Sequence, residues 1–241
     1  TLTFTGTFNL DMGAGPVTLL GNSSVVVNGK PVTVRGDIGG SSRITKSGVG
    51  ALTLSGNNSH GDTTLSAGTL NINSPTAVGV GTLTLGGGAI NNTSGDAITL
   101  MDYSDMSWSG NFSFAGTNDL DLGTNPVNMT ASRIVTVNAG NLTVGGEIGG
   151  TGNRSLTKAG AGRLILGGAC TYTGATVAAG GTLTLNGSLA VESVVTVQGG
   201  GNMDGIGSAP GTVTVQSNGT ISAGSGGIGV LTNGPLSLES G

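Results

Sequence analysis

The chain has 241 residues, of which 49 are glycine, 8% are charged, 3% are aromatic and 36% are hydrophobic, with a formal net charge of −4. Leu, Val and Ile alternate with Thr and Ser, which excludes a disordered chain, since disorder needs high charge and few aliphatics. The acidic balance and eight scattered basic residues argue against a phosphate-binding surface, so no nucleic acid partner is expected. The glycines lack the every-third-residue period of collagen and gather at segment ends, where tight turns need positive φ. No run approaches the roughly 18 apolar residues that span a bilayer. No basic, then apolar leader opens at Thr1, and the sequence is expected to be processed or excerpted.

In chain order, the first extended segment is Thr1-Leu-Thr-Phe-Thr5. Asp11-Met-Gly-Ala-Gly-Pro-Val17 and Gly36-Asp-Ile-Gly-Gly40 follow, and both return 110 positions later, as Asp121-Leu-Gly-Thr-Asn-Pro-Val127 and Gly146-Glu-Ile-Gly-Gly150. Thr45-Lys46-Ser47-Gly48-Val49-Gly50-Ala51-Leu52 returns as Thr157-Lys158-Ala159-Gly160-Ala161-Gly162-Arg163-Leu164, displaced by 112. Gly68-Thr69-Leu70 returns as Gly181-Thr182-Leu183, displaced by 113. Small insertions of this kind belong in surface loops. The sequence therefore reads as two tandem copies of about 110 residues, 1–107 and 108–241, the second with additional C-terminal coils, in one continuous rod.

Within the copies a shorter phrase recurs at Ala51–Gly56, Gly68–Asn73, Gly81–Gly86, Asn141–Gly145, Arg163–Gly167 and Gly181–Asn186. Each is a short strand, mostly with aliphatics in and polar residues out. Leucine spacings are 18 (Leu52 to Leu70), 13 (Leu70 to Leu83), 22 (Leu142 to Leu164) and 19 (Leu164 to Leu183). A coil of roughly 20 residues fits most of them, and helical periodicity is absent. A sandwich or closed barrel needs no internal self-similarity and usually carries more aromatics. The expected fold is all-β, a right-handed parallel β-helix (β-solenoid), with rungs about 4.8 Å apart giving a rod roughly 55–60 Å long.

Chemistry-bearing residues are few. Asp102 with Asp105, and Asp119 with Asp121, are the nearest approach to the paired carboxylates of glycoside hydrolysis, but Asn9 stands opposite Asp119 in the first copy. They read as solvated turn or edge carboxylates. His60, in Ser-His-Gly-Asp, reads as a turn residue, because triad members seldom adjoin in sequence. Gly199-Gly-Gly-Asn-Met-Asp204-Gly-Ile-Gly207 has one aspartate where a calcium turn needs several, and reads as glycine corners. Cys170 reads as a small core residue, with no disulfide or metal partner. Thr-x-Thr pairs at Thr1–Thr3, Thr3–Thr5, Thr82–Thr84, Thr182–Thr184 and Thr212–Thr214 are explained by strand propensity before ice binding is invoked. Tyr103, Trp108, Phe112 and Phe114 gather most of the aromatics near the junction of the copies. They are candidates for a carbohydrate platform or subunit contact, with a local core plug as the alternative. No cofactor, metal or catalytic set emerges, and an enzyme is not expected.

The stretch Leu156-Thr-Lys-Ala-Gly-Ala-Gly-Arg-Leu-Ile-Leu-Gly-Gly-Ala-Cys-Thr-Tyr-Thr-Gly-Ala-Thr-Val-Ala-Ala-Gly-Gly-Thr-Leu-Thr-Leu-Asn186 closely resembles the autotransporter-associated β-strand repeat. That pattern opens Thr-Lys-x-Gly-x-Gly-x-Leu-x-Leu, centres on Thr-Tyr-Thr-Gly and closes Gly-Thr-Leu-x-Leu-Asn. A second instance runs from Ile44 to Asn73, with His60 in place of the tyrosine, and residues 213–241 look like the strand-rich passage that often follows. The resemblance implies a parallel β-helix passenger or stalk, extracellular at the bacterial cell surface, with no catalytic residues to carry over. A self-assembling fibre subunit is the companion expectation, since an uncapped solenoid end templates further strand pairing. Expected partners are thus a second copy end to end or a longer chain, and surface glycans. The alternative is a carbohydrate-binding or polysaccharide-degrading β-helix.

Overall fold

The computed structural model describes residues 1–225 and 227–239; Ser240 and Gly241, the end of the predicted C-terminal passage, lie outside the described residues. Every regular element among them is a short β-strand, none longer than five residues. The ladders joining successive coils are parallel, as a solenoid requires. The chain divides into two compact units, Thr1–Asp121 and Leu122–Gly241.

In the first unit one face stacks Leu2–Phe4, Ser23–Val27, Ile44–Ser47, Thr63–Leu65, Leu83–Leu85 and Met106–Trp108. A second face stacks Leu10–Asp11, Val32–Val34, Ala51–Leu54, Thr69–Ile72, Ala89–Asn91 and Phe112–Phe114. Shorter strands close the third side, Val17–Thr18 on Ile38–Gly39 and Ile98–Thr99 on Leu120–Asp121. Residues alternate in and out along each strand, so equal parity in successive coils produces continuous inward columns. One runs Leu10, Val32, Leu52, Leu70, Ile90, Phe114. Another runs Leu2, Val25, Lys46, Leu65, Leu85, Trp108, and places a lysine among apolar side chains.

The second unit follows the same rule. Its columns include Leu142, Leu164, Leu183, Met203, Ile221 and Val135, Lys158, Ala178, Val197, Val215, Leu238. Again a lysine interrupts an aliphatic row.

All six strands expected from the leucine phrases form, at Ala51–Leu54, Thr69–Ile72, Leu83–Leu85, Asn141–Val144, Arg163–Leu166 and Gly181–Leu185. The spacings of 18, 22 and 19 are true coil lengths, since Leu52, Leu142 and Leu164 pair with Leu70, Leu164 and Leu183. The spacing of 13 is not. Leu70 pairs with Ile90, whereas Leu83 lies on the other face opposite Thr63, because each coil carries a similar phrase on more than one side.

Candidate functional site

The most distinctive chemistry lies inside the two repeated phrases. In Ile44-Thr45-Lys46 the alternation turns Lys46 inward, and its side chain is fully buried. Its Nζ donates to the carbonyls of Ser47 (2.9 Å), Gly48 (2.9 Å) and Ala67 (3.0 Å). Lys158, also fully buried, donates in the same way to Ala159 (2.9 Å), Gly160 (2.7 Å) and Gly180 (2.8 Å). An ammonium has three N–H groups, and each cage supplies three acceptors, so the charged form leaves no proton unbonded. Burial lowers each lysine to about 8.

Glycines make room for the cage. Gly48 (φ 76°) and Gly160 (φ 81°) occupy the left-handed region, where a Cβ is strained, and so bend their carbonyls back over the ammonium. Gly68 and Gly181, on the next coil, are closely hemmed in as well. A Cβ on Gly68 would lie 2.2 Å from the Gly48 oxygen and 2.6 Å from Lys46 Nζ, and one on Gly181 would lie 2.5 Å from the Gly160 and Gly162 oxygens. The Thr-Lys-x-Gly opening and the Gly-Thr-Leu close of the motif are therefore the two halves of one cage, joined by stacking.

The centre of each motif forms a second buried network. Thr63 Oγ1 donates to the Val78 carbonyl (2.8 Å), so its oxygen accepts from His60 Nε2 (2.8 Å). The proton of neutral His60 is thereby fixed on Nε2. The buried Nδ1 has no partner, and burial pushes the imidazole down to about 4. Beside it Asn58 bridges three coils, accepting from the Ile38 N–H (2.9 Å) and donating to the Ala77 carbonyl (2.7 Å). In the second motif Ser193 donates to the Gly174 carbonyl (2.8 Å). The chain of donors then runs from Tyr172 OH to Thr176 (2.8 Å) and from Thr176 to Ser193 (3.1 Å). Tyr172 thus stands where His60 stands, and Thr176 where Thr63 does. His60, expected as a turn residue, is fully buried and belongs to the core.

Cys170 takes the place of Asn58 and is buried, its thiol pushed up to about 12 by burial. Asp204 lies within the strand Gly201–Gly205, where it accepts from Arg163 Nη1 (2.7 and 2.9 Å) and from the buried Thr184 hydroxyl (2.5 Å), in the segment read as glycine corners. Asp102 and Asp105 are exposed, and Asp105 accepts a hydrogen bond from Thr82 (2.6 Å). The backbone carbonyls of Asp119 and Asp121 accept from Ile98 and Leu100.

Tyr103, Trp108, Phe112 and Phe114 are at most 4% exposed. Trp108 and Phe112 meet edge to face, 5.2 Å between centroids, and Trp108 Nε1 donates to Met106 Sδ (3.0 Å). As packed here these rings are core, and none offers a face to a sugar. The alternation of Met106–Trp108 and of Phe112–Phe114 places Met106, Trp108, Phe112 and Phe114 on the inward side.

No curated protein and no solved structure matches the chain. Residues 44–72 and 156–185 match the passenger-associated transport repeat, a structural repeat and not an enzyme family. Those bounds enclose both lysine cages and the His60–Thr63 and Tyr172–Thr176 pairs of the buried networks. The chain thus carries two passenger-associated transport repeats within a parallel β-solenoid, as its sequence resemblance implied, and has the character of a secreted or cell-surface passenger segment.

Proposed function

We propose that this chain is an extracellular structural element of the bacterial cell surface, a rigid stalk or adhesin passenger that can serve as a fibre subunit, and not an enzyme. The observation that carries this reading is the lysine cage. In both repeats the most specific side chain of the motif is spent on backbone carbonyls inside the fold, where it locks one coil to the next and meets no substrate. A motif whose chemistry is wholly internal serves mechanics.

End-to-end growth is part of the proposal. The first coil of the first unit leaves Leu2 and Met12 47% and 45% exposed around an apolar cavity of about 310 Å³, lined also by Phe4, Val17 and Val34. An exposed parallel edge over an open core accepts another coil, from a longer chain or from a second copy. Electron microscopy over a concentration series tests this. Filaments of uniform width that lengthen with concentration are expected of a fibre subunit, and isolated rods of a stalk segment. Irregular or globular particles would overturn the structural reading.

A further inference from the structure

Three of the five arginines are set against an aspartate: Arg35 against Asp11, Arg43 against Asp62 and Arg163 against Asp204. Arg154 has no such partner among the described residues. It is half-buried, and its Nε is sealed from solvent with no acceptor in reach. A buried donor of a charged group left unbonded is costly, so its surroundings bear on what it could hold.

A second arginine shares this corner of the second unit. Arg133 opens the strand Arg133–Val137, and its N–H donates to the Ser155 carbonyl (2.9 Å) on the next coil, while the Ser155 N–H donates to Ser132 Oγ (3.0 Å). Those two bonds stack the corner around Arg154 on the corner before Arg133. The Arg133 guanidinium folds back over its own corner, Nη2 donating to Thr130 Oγ1 (2.6 Å) and Nη1 to the Ser132 carbonyl (3.0 Å). Arg154 reaches the same place from the next coil: a Cβ on Gly150 would lie 2.5 Å from the Met129 oxygen and 3.3 Å from Arg154 Cγ, so the arginine stem crosses a glycine that sits directly on Met129. Burial, and then the Arg154 charge beside it, lower the Arg133 guanidinium below its ordinary value. The acidic side chains of the neighbouring corners are engaged or displaced. Glu147 accepts from Thr171 Oγ1 (2.9 Å), and Glu192 belongs to the second coil beyond, since Ser193 bonds to the Gly174 carbonyl and Gly174 in turn packs on the Arg154 backbone.

We propose that this corner binds a phosphate monoester, one tetrahedral dianion held between Arg133 and Arg154. Charge selects the class. Two guanidiniums are always ionised and call for two negative charges on one group, which a phosphate monoester carries and a carboxylate does not. Geometry agrees, because the fork of an arginine matches two oxygens of a phosphate and the sealed Nε of Arg154 gains the acceptor it lacks. Ser132 Oγ, which already accepts from Ser155, has its own proton to donate. A chain of net charge −4 repels extended polyanions, so a single phosphate group is favoured over nucleic acid. Arg133 and Arg154 stand 21 positions apart in sequence, one coil, and meet only through the register. The site is independent of the stalk reading, because a stalk that binds nothing remains a stalk.

The test titrates glucose 6-phosphate, inorganic phosphate and acetate, at matched ionic strength, into the full isotope-labelled chain and follows its amide resonances. Expected are saturable shifts confined to residues 129–133 and 150–155, with glucose 6-phosphate bound at least about tenfold more tightly than acetate. Arg154→Gln should weaken that binding about tenfold or more, Arg154→Lys less, since it keeps the charge and loses the fork, and Lys30→Gln not at all. Arg133→Gln serves as the second variant if Arg154→Gln fails to fold. The two phosphates separate the sources: an ester bound as tightly as inorganic phosphate supports a phosphate carried on a sugar, whereas an ester bound at least about tenfold more weakly would overturn the monoester in favour of the free ion. Equal binding of acetate, shifts that vanish at physiological ionic strength, shifts spread equally around Lys30, or an Arg154→Gln variant that binds as the native chain does would also overturn the proposal.

Discussion

The two repeats solve one packing problem with one fixed part and one variable part. The lysine cage is superposable in its chemistry, three backbone carbonyls around one ammonium in residues 44–72 and again in 156–185. The corner that follows is not. Asn58, His60 and Thr63 fill it in the first repeat, and Cys170, Tyr172 and Thr176 in the second, with Thr173 inserted. Backbone acceptors at a glycine corner have no other donor to turn to, so the lysine has no substitute. A corner core needs only volume and a bond to the threonine, so several residues serve.

That contrast is sharpest at the lysines. Lys158→Met preserves the stem and removes all three donors, leaving buried carbonyls unsatisfied at a cost of about 3 kcal/mol or more. Lys46→Met is expected to cost the same. Because coils contact mainly their neighbours, the loss is local, and amide exchange should speed up around each variant's own repeat. Equal protection in variant and native chains would show the cage to be ornamental.

Acid should separate the two corners. His60 titrates near 4 in the fold and near 6.5 in the unfolded chain, so the unfolded state takes up the proton first. Its contribution is present at neutral pH and is lost as pH falls from 6.5 toward 4, about 2 kcal/mol between pH 7 and 5. The first repeat should loosen at pH 5 while the tyrosine-based repeat holds. His60→Gln should abolish the difference; a difference that persists in it would point elsewhere.

The smallest effect is expected at Tyr172→Phe. It keeps the ring and leaves Thr176 still donating to Ser193, so the loss is about 1 kcal/mol, read from the thermal midpoint. A larger loss would mean that the corner is as exacting as the cage.

Much of this was legible in the sequence. Leu52, Leu70, Leu164 and Leu183 announced the strands and most coil lengths, since inward parity repeats with each coil. The role of Lys46 was hidden, although Ile44 and Thr45 already fixed its inward parity, because a lysine in a strand is ordinarily read as solvated. The 13-residue interval from Leu70 to Leu83 misled because identical phrases sit on different faces.

The cages also govern how the chain meets amine chemistry. Of its three lysines, Lys46 and Lys158 are sealed behind carbonyls and only Lys30 faces solvent. Acylating reagents and lysine-directed proteases therefore find one side-chain foothold on the folded chain where the unfolded chain offers three. Coupling through Lys30 fixes the molecule to a surface at one defined side-chain point, near one end of its sequence.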